Sequence, residues 1–71
     1  MKKYTVNILP NHEDLDSQIK IDFQAFTDEE AENKALILAV EALPPQHTAS
    51  CILVLDDGVH GYRPVAEFEA N

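Results

Sequence analysis

The chain has 71 residues, a single cysteine and a formal net charge of −8, from thirteen acidic and five basic side chains. That length predicts one domain, residues 1–71, with a small core, and one cysteine excludes an internal disulfide to brace it. The charge excludes binding nucleic acid through its phosphates, which needs clustered Lys and Arg, and it steers the protein toward basic surfaces instead.

In chain order, segment 3–9, KYTVNIL, alternates with Tyr4, Val6 and Ile8 on one side and Thr5 and Asn7 on the other, the pattern of a half-buried strand. Segment 10–18, PNHEDLDSQ, is proline-led and acidic and reads as a loop. In segment 19–26, IKIDFQAF, Ile19, Ile21, Phe23 and Ala25 point inward and Lys20, Asp22 and Gln24 outward.

Segment 27–43, TDEEAENKALILAVEAL, is the one stretch with helical periodicity. Thr27 is placed to cap its first turn and Glu30 to complete a capping box, while Asp28, Glu29, Glu30 and Glu32 sit where the positive end of the helix dipole favours them. Ala31, Ala35, Leu38, Ala39 and Ala42 share one face, with Leu36 and Leu43 on its flank. A face built on alanine predicts close approach to a sheet. Pro44 and Pro45 end the helix, since neither has an amide hydrogen to continue the ladder. Ile37 falls among the charged positions, with Val40 at the edge of the apolar sector; they are either stray apolar residues or a patch for self-association or a partner.

After a polar connection, segment 51–55, CILVL, is almost wholly apolar and reads as a central strand in which Cys51 acts as a small core hydrophobe. Asp56-Asp57-Gly58 signals a turn. Segment 62–70, YRPVAEFEA, alternates again, with Ala66 and Phe68 opposing Val65, Glu67 and Glu69, and Pro64 argues for an edge strand or a strand start.

The expected fold class is α+β: a ββαββ chain forming a four-stranded antiparallel sheet, with one helix packed on one face. A right-handed crossover from the second strand to the third leaves a gap for the first, giving strand order 2-1-3-4. The open face is then expected to carry Thr5, Asn7, Lys20, Asp22, Gln24, Glu67 and Glu69.

No residue set forms a catalytic or metal signature, and neither an enzyme activity nor a cofactor is expected. The His12-Glu13-Asp14-Leu15-Asp16 run lacks a second ligand cluster and the glycine and glutamate of a calcium loop. Asp56, Asp57 and His60 bracket a turn, and one helix on one sheet provides little cavity for an acid–base pair. Without a leader-like or membrane-spanning apolar run, the chain is expected to be a complete, soluble, cytoplasmic protein. The distributed acidity is the feature that points outward. Glu13, Asp14 and Asp16 of the first loop and Asp28, Glu29, Glu30 and Glu32 of the helix start would, if on one side of the fold, form an anionic strip spaced like phosphates, with Ile37 as an apolar neighbour.

A compact acidic ββαββ chain that opens with KYTVNIL and passes from strand to helix through FTDEEAENKA resembles small phage-encoded inhibitors of bacterial defence, notably anti-CRISPR proteins. The resemblance spans the chain in plan, size and charge and transfers no functional residue. It implies a stoichiometric, non-catalytic binder of a large host complex, acting in the host cytoplasm. The expected partner is the basic surface of a nucleic-acid-binding protein complex, with no direct contact to nucleic acid or membrane. The alternative is a structural module that homodimerises through the helix or a strand edge.

Overall fold

Three alternating segments and one apolar run become four strands whose buried sides coincide. The computed structural model describes residues 1–11 and 18–70, and of His60 the backbone alone. The elements are β1 (Lys2–Pro10), β2 (Ile19–Ala25), α1 (Asp28–Ala42), β3 (Ala49–Asp56), a 3-10 turn (Gly58–His60) and β4 (Tyr62–Ala70). Neighbouring strands are all antiparallel and lie in the order β2-β1-β3-β4. This is the expected α+β plan, ββαββ with a four-stranded antiparallel sheet and one helix, and the expected strand order.

Register builds the core layer. Tyr4 lies between Phe23 and Leu55, Val6 between Ile21 and Leu53, and Ile8 between Ile19 and Cys51. On the far side Ala66 faces Leu53, Phe68 faces Cys51 and Ala70 faces Ala49. Tyr4, Val6, Ile8, Cys51 and Leu53 are fully buried, and Cys51 is thus the core hydrophobe its surroundings predict. Burial pushes its thiol up from the ordinary value, which makes it a poor nucleophile.

The helix meets this layer through Ala31, Ala35 and Ala39, all completely buried at four-residue spacing. Small side chains let the backbone of α1 come close to the sheet, and Ala42 and Leu43 pack at the margin. Thr27 Oγ1 accepts from the Glu30 backbone N–H at 3.1 Å, the expected N-cap. Glu30 closes the box by accepting from the Phe26 N–H at 3.2 Å, one residue earlier than the usual target. At the other end Leu43 leaves the helical region, at φ −93° and ψ 141°. The residue before a proline is driven to extended backbone by the ring that follows. One expectation differs: Leu36, read as a flank of the buried face, is 44% exposed, because the narrow alanine contact leaves room for only the centre of the helix on the sheet.

The last strand also departs from its simple alternation. Leu53 pairs with Ala66, but Val54 pairs with Pro64, so Val65 is an extra residue on β4. The irregularity falls beside a proline that cannot donate to the ladder. Val65, expected beside Glu67 and Glu69, instead packs at the margin of the core. Beyond the bulge the sides exchange: Arg63 pairs with Leu55 on the helix side, and Tyr62 with Asp56 on the open side. The turn between β3 and β4 uses Gly58 and Gly61 at φ 68° and 84°, where a Cβ would be strained. Asp56 Oδ1 accepts from the Gly58 N–H at 3.0 Å, an Asx-type closure that fits the turn reading of this acidic pair.

Leu53→Ala is expected to lower the unfolding free energy by about 2–5 kcal/mol in a urea titration, and Leu36→Ala by about 0.5 kcal/mol or less. Equal losses would place Leu36 in the core.

Candidate functional site

The helix start is where most of the expected anionic strip lies, and its carboxylates are not equivalent. The Tyr4 hydroxyl, on β1 beneath the helix, donates to Asp28 Oδ1 at 2.7 Å. Arg63 Nη2 approaches Asp28 Oδ2 at 3.7 Å from β4. The Tyr4 ring is fixed from the other side by stacking on Phe23, centroids 5.8 Å apart. Asp28 therefore ties α1 to the sheet. Glu30 is employed within the helix: besides its capping contact it pairs with Lys34 at 3.2 Å, and Lys34 also donates to the Gln24 carbonyl at 3.0 Å. These contacts hold its carboxyl below the ordinary range, the Lys34 hydrogen bond first and the Phe26 N–H second. Glu29 and Glu32 are exposed and enter no ion pair among the described residues. Ile37 is 57% exposed and Val40 43%, covered by no described segment.

Glu13, Asp14 and Asp16, like His12, lie outside the described residues. The chain leaves β1 at Pro10 and enters β2 at Ile19, at the end of the sheet where Pro10 pairs with Ala49. Asp28 follows Ala25, which pairs with Lys2 at the opposite end.

Other carboxylates are brought together. Glu32 with Asn33 and Leu36 of α1, and residues 66–69 of β4, line a groove of about 360 Å³ along the sheet margin. Glu32, Glu67 and Glu69 surround it, Leu36 and Phe68 supply apolar lining, and no cation is paired with any of the three among the described residues. Sequence reasoning placed Glu67 and Glu69 on the open face and did not join them to Glu32. Their charge and the outer place of β4 were expected, but nothing in the spacing reveals that this strand lies beside the Glu32–Leu36 part of the helix.

The face of the sheet away from α1 carries Lys3, Thr5 and Asn7 of β1, Lys20, Asp22 and Gln24 of β2, Ile52, Val54 and Asp56 of β3, and Tyr62, Glu67 and Glu69 of β4. The expected polar residues are there, and Ile52 and Val54 add an apolar centre. The Thr5 hydroxyl donates to Asp22 Oδ1 at 2.6 Å. Asn7 Oδ1 is shielded and meets no donor. A hollow of about 260 Å³ lies between Lys3, Thr5, Asp22 and Gln24, bordered by the ring of Tyr62.

Among the described residues no group of three His, Cys, Asp or Glu side chains is arranged to hold a metal ion. No described helix is long and apolar enough to cross a membrane. The chain matches no protein-family model, no curated protein and no solved structure.

The Tyr4–Asp28 contact carries a pH signature. The Tyr4 hydroxyl is pushed up to about 12 by burial and then by the adjacent carboxylate. Asp28 is held below its ordinary 3.8, by the Tyr4 hydrogen bond first and also by Arg63 and Lys2. A raised tyrosine stabilises the fold fully below its ordinary 10.0, and this contribution is lost as pH rises toward about 12. A depressed carboxyl stabilises the fold above 3.8, and this contribution is lost as pH falls through the folded value. Urea midpoints should therefore fall in both limbs, and Tyr4→Phe should flatten the alkaline limb and shrink the acid one. An unchanged alkaline limb would show that Tyr4 is not the group responsible.

Proposed function

We propose that this protein is a non-enzymatic binding module whose acidic side occludes a basic, nucleic-acid-binding surface of a protein complex. The observation that carries this reading is the convergence of Glu32, Glu67 and Glu69 on one groove with no cation of the chain paired to them among the described residues. Carboxylates already engaged, such as Asp28 and Glu30, would have to exchange one partner for another. The three groove carboxylates exchange only water, so an arriving Lys or Arg gains charge-assisted hydrogen bonds without breaking an internal pair. Its aliphatic stem can lie on Leu36 and Phe68 while its charged head meets the rim. Exposed Glu29 extends the anionic side, and the net charge of −8 speeds encounter with a cationic surface. An inhibitor of the anti-CRISPR type, blocking a host complex in the infected cell's cytoplasm, is the form of this function that the chain's plan, size and acidity suit best.

A second reading is an assembly module that homodimerises through the helix or a strand edge. It draws on Ile37 and Val40, exposed one helical turn apart on α1.

The first reading is tested by immobilising the protein and measuring capture of purified RNA-guided and other DNA-binding complexes, at low and high salt, with and without competing duplex. The expected result is capture that salt weakens and duplex displaces. Replacing Glu32, Glu67 and Glu69 together by Gln should reduce affinity about tenfold, at roughly 0.2–1 kcal/mol per exposed charge pair. Capture unaffected by that triple replacement would refute the groove as the binding element, and loss on Ile37→Asp alone would favour the second reading.

A further inference from the structure

Strand register sets the open face out in rows. One row reads Lys20, Asn7, Ile52, Glu67 across the four strands; the next reads Asp22, Thr5, Val54, Pro64; the third reads Gln24, Lys3, Asp56, Tyr62. The two cations of the face lie on one side. Lys20 and Lys3 are on the β2–β1 half, beside Asp22, whose carboxylate accepts from the Thr5 hydroxyl. Glu67, Glu69 and Asp56 are on the β3–β4 half, with Ile52 and Val54 between. Among the described residues none of Lys20, Lys3, Glu67 and Asp56 is in an ion pair; the described ion pairs are Glu30–Lys34 and Asp28–Arg63.

Such a face is complementary to itself. A two-fold axis parallel to the strands, over the seam between β1 and β3, exchanges β2 with β4 and β1 with β3. It leaves height along the strands unchanged. Lys20 of one copy then stands over Glu67 of the second, and Lys3 over Asp56, each pair occurring twice. The 64%-exposed Tyr62 of each copy comes over the Gln24 end of the other, beside the hollow between β2 and β1. An axis across the strands would instead lay β4 on β4 and bring Glu67 and Glu69 of both copies together, so charge selects the first arrangement. We infer that two copies of this chain pack face to face through their open sheet faces, in this register. Aligned sheets pack about 10 Å apart at roughly −30°, a separation that long Lys and Glu side chains bridge.

The surface is large enough for a reversible dimer. Four strands about 4.8 Å apart, paired over about seven residues of 3.4 Å rise, present roughly 500 Å² per copy. The total of about 1,000 Å² is at the lower limit of specific interfaces, which points to micromolar rather than permanent association. Two copies of charge −8 repel at long range. Pairing should therefore be best developed near 0.15 M salt, where the screening length is about 8 Å. The groove carboxylate Glu32, on the helix, stays accessible, and the inference does not rest on the binding function proposed above.

The test is mass by sedimentation across roughly 10 μM to 1 mM protein, bracketing the expected micromolar constant. The wild type should pass from monomer to dimer. Lys20→Glu and Glu67→Lys should each weaken dimerisation at least tenfold, with circular dichroism unchanged because both sites are exposed. Mixed in equal amounts, the two variants should recover the dimer, since position 20 of each copy again meets the opposite charge at position 67 of the other. Carbodiimide treatment of the wild type should join Lys20 to Glu67 between copies, a readout independent of any variant. A wild type that stays monomeric, a mixture that fails to pair, or a dimer dissolved by Ile37→Asp and not by Val54→Asp would overturn the inference.

Discussion

The contact of three alanines with the sheet is the constraint from which the rest of the structure follows. Ala31, Ala35 and Ala39 have no exposed surface, so the backbone of α1 lies against the layer formed by Tyr4, Val6, Ile8 and Leu53. Only at that separation does the Tyr4 hydroxyl reach Asp28, and only then is Arg63 near enough to join them. A larger side chain at Ala35 would lift the helix and cost packing on both sides, since close-packed interiors absorb added volume poorly. The same narrow contact leaves Leu36, Ile37 and Val40 in solvent. One feature thus accounts for both the tight centre and the apolar exterior of the helix.

That geometry also sorts the acidic residues. Asp28, Glu30 and Asp56 serve the fold: one ties helix to sheet, one caps and braces the helix, one closes a turn. Glu29, Glu32, Glu67 and Glu69 have no cationic partner among the described residues. A net charge treats these groups alike, whereas their availability to a partner differs. A carboxylate holding internal hydrogen bonds has fewer acceptor positions left, and less freedom to turn, for a partner.

One helix on four strands leaves two surfaces of different character. The margin between α1 and β4 is anionic with an apolar lining and suits a cationic partner. The open face carries both signs, with its two lysines confined to the β2–β1 half, and suits a copy of itself. The two surfaces share Glu67 and Glu69, whereas Glu32 belongs to the helix, so a dimer would leave Glu32 of each copy outward.

How far the sequence determined this protein can be followed residue by residue. Period-two alternation located three strands, since a half-buried strand must alternate, and the apolar run CILVL located the fourth, a central one. The caps at Thr27 and Pro44 bounded the helix, because backbone groups at helix ends need those chemistries. Alanine at four-residue spacing foretold the close approach, and strand order followed from the crossover. Other features were decided only in three dimensions. The bulge at Val65 carries Arg63 to the helix side and Tyr62 to the open side, and it arises from pairing with β3, which the alternation of YRPVAEFEA does not encode. Leu36 is exposed because the contact with the sheet runs through the three alanines and leaves the flank of the helix in solvent. Glu32 and Glu67 meet at one groove although 35 positions apart, and Lys20 and Glu67 lie in one row at opposite edges. Local periodicity reports which side of its own element a residue occupies. Which elements lie beside one another, and hence which charges converge, is set by non-local pairing.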